Sequence, residues 1–150
     1  MGRKIIILLM GGFGFFVLFF QIQIITVIAE GGRLICAILV KNGDVIEMAH
    51  LNSIYEEEVK EILMVNGGSL ELVNVITDSI GIKEYYLMDH SFNKRKWKTI
   101  SFLNSAERKF SLKVKEEQID LTDYNDRSIL IELHKVNSIW FLFYFFSKVK

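Results

Sequence analysis

Leu34-Ile35-Cys36-Ala37-Ile38-Leu39-Val40, then Lys41-Asn42-Gly43-Asp44, then Val45-Ile46-Glu47-Met48-Ala49-His50-Leu51-Asn52 decide the fold class of this chain. Two strand-like runs flank an Asn-Gly dipeptide. That dipeptide is a strong hairpin signal, because a two-residue hairpin turn needs positive φ at its centre. The same grammar repeats on both sides. Thr26–Ala29 precedes Glu30-Gly31-Gly32-Arg33, a second glycine turn. Val59–Val65 leads into Asn66-Gly67-Gly68 and a further strand over Ser69–Thr77, where Leu70-Glu71-Leu72 alternates as a half-buried strand does, with a slip before Val73 and Val75. Phe110, Leu112 and Val114 alternate with Ser111, Lys113 and Lys115. Trp97–Leu103, Ile129–Leu133 and Ile139–Phe146 complete the set. The expectation is an all-β domain, a β-sandwich or partly open barrel of about eight short antiparallel strands. An α+β arrangement with Tyr55–Val65 as a short helix ranks second, since Glu56-Glu57-Glu58 would suit a first helical turn. Asp78–Lys96 reads as a long connection with a short strand at Glu84–Met88.

Ahead of this pattern stands Arg3-Lys4 and then an uncharged run from Ile5 to Ile28. About 20 apolar residues at helical rise span the roughly 30 Å hydrocarbon core of a bilayer. Cations before the run and a first acid only at Glu30 favour a cytoplasmic N-terminus and an exported body. The run is longer than a signal-peptide core and has no small-residue cleavage motif, so it reads as an uncleaved transmembrane anchor. The expected division is therefore a membrane anchor over 1–28 and an extracytoplasmic β domain over 29–150, placing the protein in the cell membrane as a single-pass species. Ile139–Phe146 is too short to span and reads as a buried strand, with a membrane-facing aromatic edge as the lesser option.

Composition narrows the function. The chain has 150 residues, with 18 basic and 18 acidic side chains. Setting aside Arg3 and Lys4 leaves 16 against 18, a net charge of −2, which argues against a nucleic-acid partner. One cysteine, Cys36, cannot form an internal disulfide, so the body relies on its apolar core. The absence of proline, beside abundant Ile, Lys, Asn and Phe, reads as compositional drift.

Gly32-Arg33-Leu34, Gly43-Asp44, Asn52-Ser53, Val59-Lys60-Glu61 and Gly68-Ser69-Leu70-Glu71-Leu72-Val73 occur in an order and spacing that resembles the prokaryotic domain of unknown function eighteen-fifty family. Thr77–Gly81 is similar to the piece that follows. Asn52 stands where that family has histidine, with His50 two residues earlier. Ile82-Lys83-Glu84-Tyr85 replaces a small-residue and proline run. The resemblance implies a small membrane-anchored extracytoplasmic protein without established activity. It also implies a genomic neighbour, a TRAP-type transporter with a TAXI-class solute receptor, and hence a transporter component as partner and an accessory role.

His50, Asn52, Ser53 and Glu61 form the candidate recognition site. On a strand His50 and Asn52 share a face. A hairpin turning about Tyr55-Glu56 would set His50 opposite Glu61 and raise the imidazole pKa. No catalytic residue, metal ligand or cofactor site is assigned. Ser53 with His50 lacks a nucleophile elbow, and Asp89, His90 and His134 lack metal-ligand spacing. The expected function is a non-catalytic tethered binding module. The rivals are an envelope hydrolase using His50, Ser53 and Glu61, and a purely structural envelope protein. Lys94-Arg95-Lys96-Trp97-Lys98 reads as a solvated loop entering a strand, with anionic headgroups as a second option.

Overall fold

The computed structural model describes residues 21–88, 96–137 and 139. Among these residues the following elements occur in order: β1 Gln21–Ala29, β2 Arg33–Val40, β3 Val45–Asn52, β4 Glu57–Asn66, β5 Ser69–Ile76, α1 Ile80–Met88, β6 Lys96–Trp97, β7 Thr99–Asn104, β8 Ser111–Val114, β9 Glu117–Ile119, the 3-10 turn Thr122–Tyr124, and β10 Arg127–Asn137. They form two antiparallel sheets, one ordered β2-β1-β10-β7 and the other β6-β5-β4-β3-β8-β9. The all-β expectation is met, with two very short strands, β6 and β9, that the sequence pattern does not reveal.

One core lies between the sheets. Alternation supplies it: along β10, Ile129, Ile131 and Leu133 are buried, while Leu130, Glu132 and His134 between them are only half-buried. Ile25, Val27 and Ile38 join them from the first sheet. Ile46, Met48, Leu63, Val65, Leu70, Leu112 and Val114 meet them from the second. Each such side chain contributes about 1.5–3 kcal/mol relative to exposure, and this burial replaces the disulfides that the chain lacks.

The last eight residues of the apolar N-terminal run, 21–28, belong to β1, an inner strand of the first sheet. It pairs with β10 from Gln21↔Asn137 to Ala29↔Ile129, and with β2 on its other side. Four successive residues, Ile24 to Val27, are buried. A strand covered on both faces loses its alternation and reads as continuous hydrophobic sequence, which is why hydropathy joins it to the run before it. The division expected between residues 28 and 29 cuts through β1, and the Ile5–Phe20 part of the expected anchor lies outside the described residues. Among the described residues no helix is long and apolar enough to cross a membrane.

Three further expectations change. Asn42-Gly43 does not close a hairpin, because β2 and β3 lie in different sheets. The turn docks instead on the β4–β5 connection. Gly43 N–H donates to the Val65 carbonyl (2.8 Å), Val65 N–H to that of Asp44 (2.9 Å), and Asn42 Oδ1 accepts from Gly67 N–H (3.2 Å). Gly43 at φ 91° makes this conformation accessible without side-chain strain. Trp97–Leu103 is not one strand; a bend at Lys98 passes the chain from the second sheet to the first. Ile80–Met88 is helix rather than connection and strand. Ser79 holds its start, its Oγ accepting from Ile82 N–H (3.4 Å) and its carbonyl from Lys83 N–H (3.1 Å), while Ile82 is buried. The alternative helix over Tyr55–Val65 is strand β4 from Glu57. Trp140–Phe146 lies outside the described residues.

Candidate functional site

The four residues singled out in the sequence do not share one site. The β3–β4 hairpin pairs His50 with Val59, Asn52 with Glu57 and Met48 with Glu61, so His50 is not opposite Glu61. Asn52 sets this register. Its Oδ1 accepts from the backbone N–H of Ile54 (3.0 Å) and Tyr55 (3.2 Å), tightening the turn one residue earlier than a symmetric turn about Tyr55-Glu56. Glu56 closes it at φ 54°. Asn52 is thus a turn residue, and Ser53 is exposed at the hairpin tip.

His50 belongs to an aromatic ladder. Its ring stacks on Phe110 at 5.1 Å and 24°, and Phe110 stacks on Phe102 at 4.3 Å and 27°. The ladder links β3 of the second sheet to β7 of the first. His50 Nδ1 is buried without a hydrogen-bond partner. Burial lowers the imidazole pKa below its ordinary value, Glu61 opposes this, and Arg108 adds to it. The expected upward shift is therefore reversed, because desolvation outweighs the carboxylate once the two are not cross-strand partners.

Glu61 has a different setting. It points to the core side of β4, between Met48 on β3 and Val75 on β5. A carboxylate on an apolar face needs a donor. Tyr86, delivered by α1, donates its hydroxyl to Glu61 Oε1. Burial, with the hydrogen bond and charge of Glu61, pushes the Tyr86 pKa well above the phenol range. Tyr85 packs edge-on to Tyr86 at 5.7 Å and 88° and is 75 % exposed. Together with Trp97, Thr99 and Ile100 these residues line a cavity of about 370 Å³ where β4, α1 and the β6–β7 bend converge. Leu63 and Leu72 extend its lining.

Two other hollows differ in character. One, about 640 Å³, lies between the 105–110 loop and β9. Its polar groups are engaged locally: Asn104 Nδ2 donates to the Leu121 carbonyl (2.8 Å), and Asp120 accepts from the N–H and Oγ1 of Thr122 (2.9 and 2.8 Å). A hollow of about 420 Å³ on the outer face of the first sheet is lined by Ile24, Thr26, Ile28 and His134. There Thr26 Oγ1 lies 3.1 Å from His134 Nε2, itself 3.3 Å from Glu132.

Sequence reading missed Tyr86 and Trp97. Tyr86 falls within the short strand expected at Glu84–Met88, and Trp97 within a basic patch. The available signal was Ser79 ahead of Ile80 and Ile82, a helix start that would have set Tyr85 and Tyr86 on a helix beside the sheet. Of the basic patch, Lys96 pairs with Glu71 at 2.5 Å, and Asn66 Nδ2 donates to the same carboxylate at 3.0 Å, a surface arrangement. Asp89, His90, Lys94 and Arg95 lie outside the described residues, among which no group of metal-ligating side chains is assembled. Comparison with known proteins gave no match, whether to family models, to curated sequences or to solved structures.

Proposed function

We propose that the chain is a non-catalytic binding module, held at the membrane by its N-terminal segment, with its body on the extracytoplasmic side. One observation carries the binding reading: the inward-facing Glu61 carboxylate, held by Tyr86, in a cleft walled by aromatic side chains. Small-molecule sites combine apolar walls with few, well-placed polar groups, and this cleft has that composition. The separation of the turn residues Asn52 and Ser53 from Glu61 supports the same reading over a hydrolase. Attachment to the membrane rests on the charge and hydropathy of residues 3–20. A TRAP-type transporter component as partner rests on the sequence resemblance alone.

The test is a thermal-shift screen of the full-length protein in mild detergent against amines, sugars and carboxylates. A true ligand stabilises in proportion to the logarithm of its concentration above Kd, and Trp97→Leu or Glu61→Gln weakens that response. Stabilisation untouched by either substitution, or ester hydrolysis lost on Ser53→Ala, would overturn the proposal.

A further inference from the structure

We infer that the cleft beneath α1 selects a small organic cation, an ammonium group seated between the Glu61 carboxylate and the rings of Trp97 and Tyr85. This rests on the cleft being the recognition site.

Charge is the first argument. Among the described lining residues Glu61 is the only ionisable carboxylate, and none of them is a lysine, arginine or histidine. An ionised carboxylate only accepts hydrogen bonds. Tyr86 engages Oε1, and the carboxylate, as a lining group with a second oxygen, brings further acceptor capacity and negative charge to the cavity. An anionic ligand meets repulsion, and a neutral one leaves that charge uncompensated.

The walls give the second. Trp97, Tyr85 and Tyr86 bring three aromatic rings to the cavity, and aromatic faces attract cations through their quadrupoles, tryptophan most strongly. Hydroxyl supply gives the third. A sugar needs many directional partners, yet Ser101 Oγ pairs with Ser128 Oγ at 3.2 Å and the Tyr86 hydroxyl is directed at Glu61, leaving Thr99 and the exposed Tyr85 as the remaining hydroxyls of the described lining. At about 370 Å³ the cavity lies at the small end of the roughly 300–1,000 Å³ typical of ligand sites.

Choline and its uncharged carbon isostere 3,3-dimethyl-1-butanol differ in charge and hardly in shape, so they isolate the charge effect. Isothermal titration of the full chain in a non-ionic detergent is expected to give one choline site, with the isostere at least about tenfold weaker. Glu61→Gln keeps the side-chain shape and an acceptor for Tyr86; it should weaken choline several-fold more than the isostere and so narrow the difference between the two probes. Trp97→Leu should weaken choline by a similar factor. Equal affinity for both probes, or choline binding indifferent to Glu61→Gln, overturns the cation assignment. If a neutral or anionic compound instead binds in a Trp97-dependent manner, the cleft remains a recognition site and only the cation class falls. If no compound of any charge binds, both inferences fall.

Discussion

Tyr86→Phe removes one oxygen and tests the hydrogen bond on which the cleft depends. A hydrogen bond to a charged acceptor contributes about 1.5–3 kcal/mol. Glu61 and Tyr86 are half-buried, so solvent compensates part of the loss and the expected cost is about 1–2 kcal/mol. For a domain of this size that corresponds to a fall in Tm of roughly 3–8 °C. Urea unfolding followed by tryptophan fluorescence, on wild type, Tyr86→Phe, Glu61→Gln and the double variant, separates the pair from its surroundings. The pH dependence adds a second readout. An unfolded tyrosine titrates near 10.0, whereas Tyr86 in the fold holds its proton to a higher pH. Its stabilisation is therefore complete below pH 10 and declines as pH rises through the folded pKa. The gap between wild type and Tyr86→Phe should narrow steadily from pH 10 upward. A neutral-pH difference under about 0.3 kcal/mol, or a gap constant through the alkaline range, would refute the reasoning.

Other perturbations address other parts of the molecule. Ile25, 0 % exposed in β1, should cost about 3–4 kcal/mol on truncation to alanine; a loss under about 1 kcal/mol in chemical denaturation would contradict its place in the core. His50 has a lowered pKa, so its unfolded form takes up a proton that the fold resists, and stability falls as pH drops below the ordinary value of 6.5. His50→Phe should flatten that acidic slope, measured by urea midpoints between pH 7 and pH 5. Burial raises the Cys36 thiol from 9.0 to about 11, a difference of two units and thus about a hundredfold less thiolate at pH 8. Alkylation of the native protein should be slower by at least that factor than after unfolding, and equal rates would place Cys36 elsewhere.

The parts of the fold legible in sequence are those where one face is wet. β8 shows Leu112 and Val114 against Ser111 and Lys113, and β5 shows Leu70 and Leu72 against Glu71, because solvent marks the outer face with polar residues. β1 carries no such mark, since Ile24 and Thr26 are buried on the side away from the core as Ile25 is on the core side. Turn chemistry was legible as turns but not as partners. The Glu30–Arg33 and Asn66–Gly68 turns do close hairpins, whereas Asn42-Gly43 crosses between sheets, and nothing local distinguishes the two outcomes. Of the candidate site, the expected β-hairpin picks out Glu61 but pairs it with His50 instead of Tyr86. Register in a hairpin depends on which residue anchors the turn, and Asn52 acting as that anchor moved every cross-strand neighbour by two.

The pairing of Gln21 with Asn137 sets the first residue of β1 and the last of β10 side by side, on neighbouring strands. Tension applied through Gln21 runs lengthwise along β1, which is gripped on both sides. The backbone bonds to β2 and β10 then bear load together, in shear, instead of peeling apart one at a time. Thr99, at the cleft, is level with Glu132, five residues up β10 from Asn137, or about 17 Å at strand rise. The cleft thus sits about one short strand's length from the end of the sheet where Gln21 and Asn137 pair.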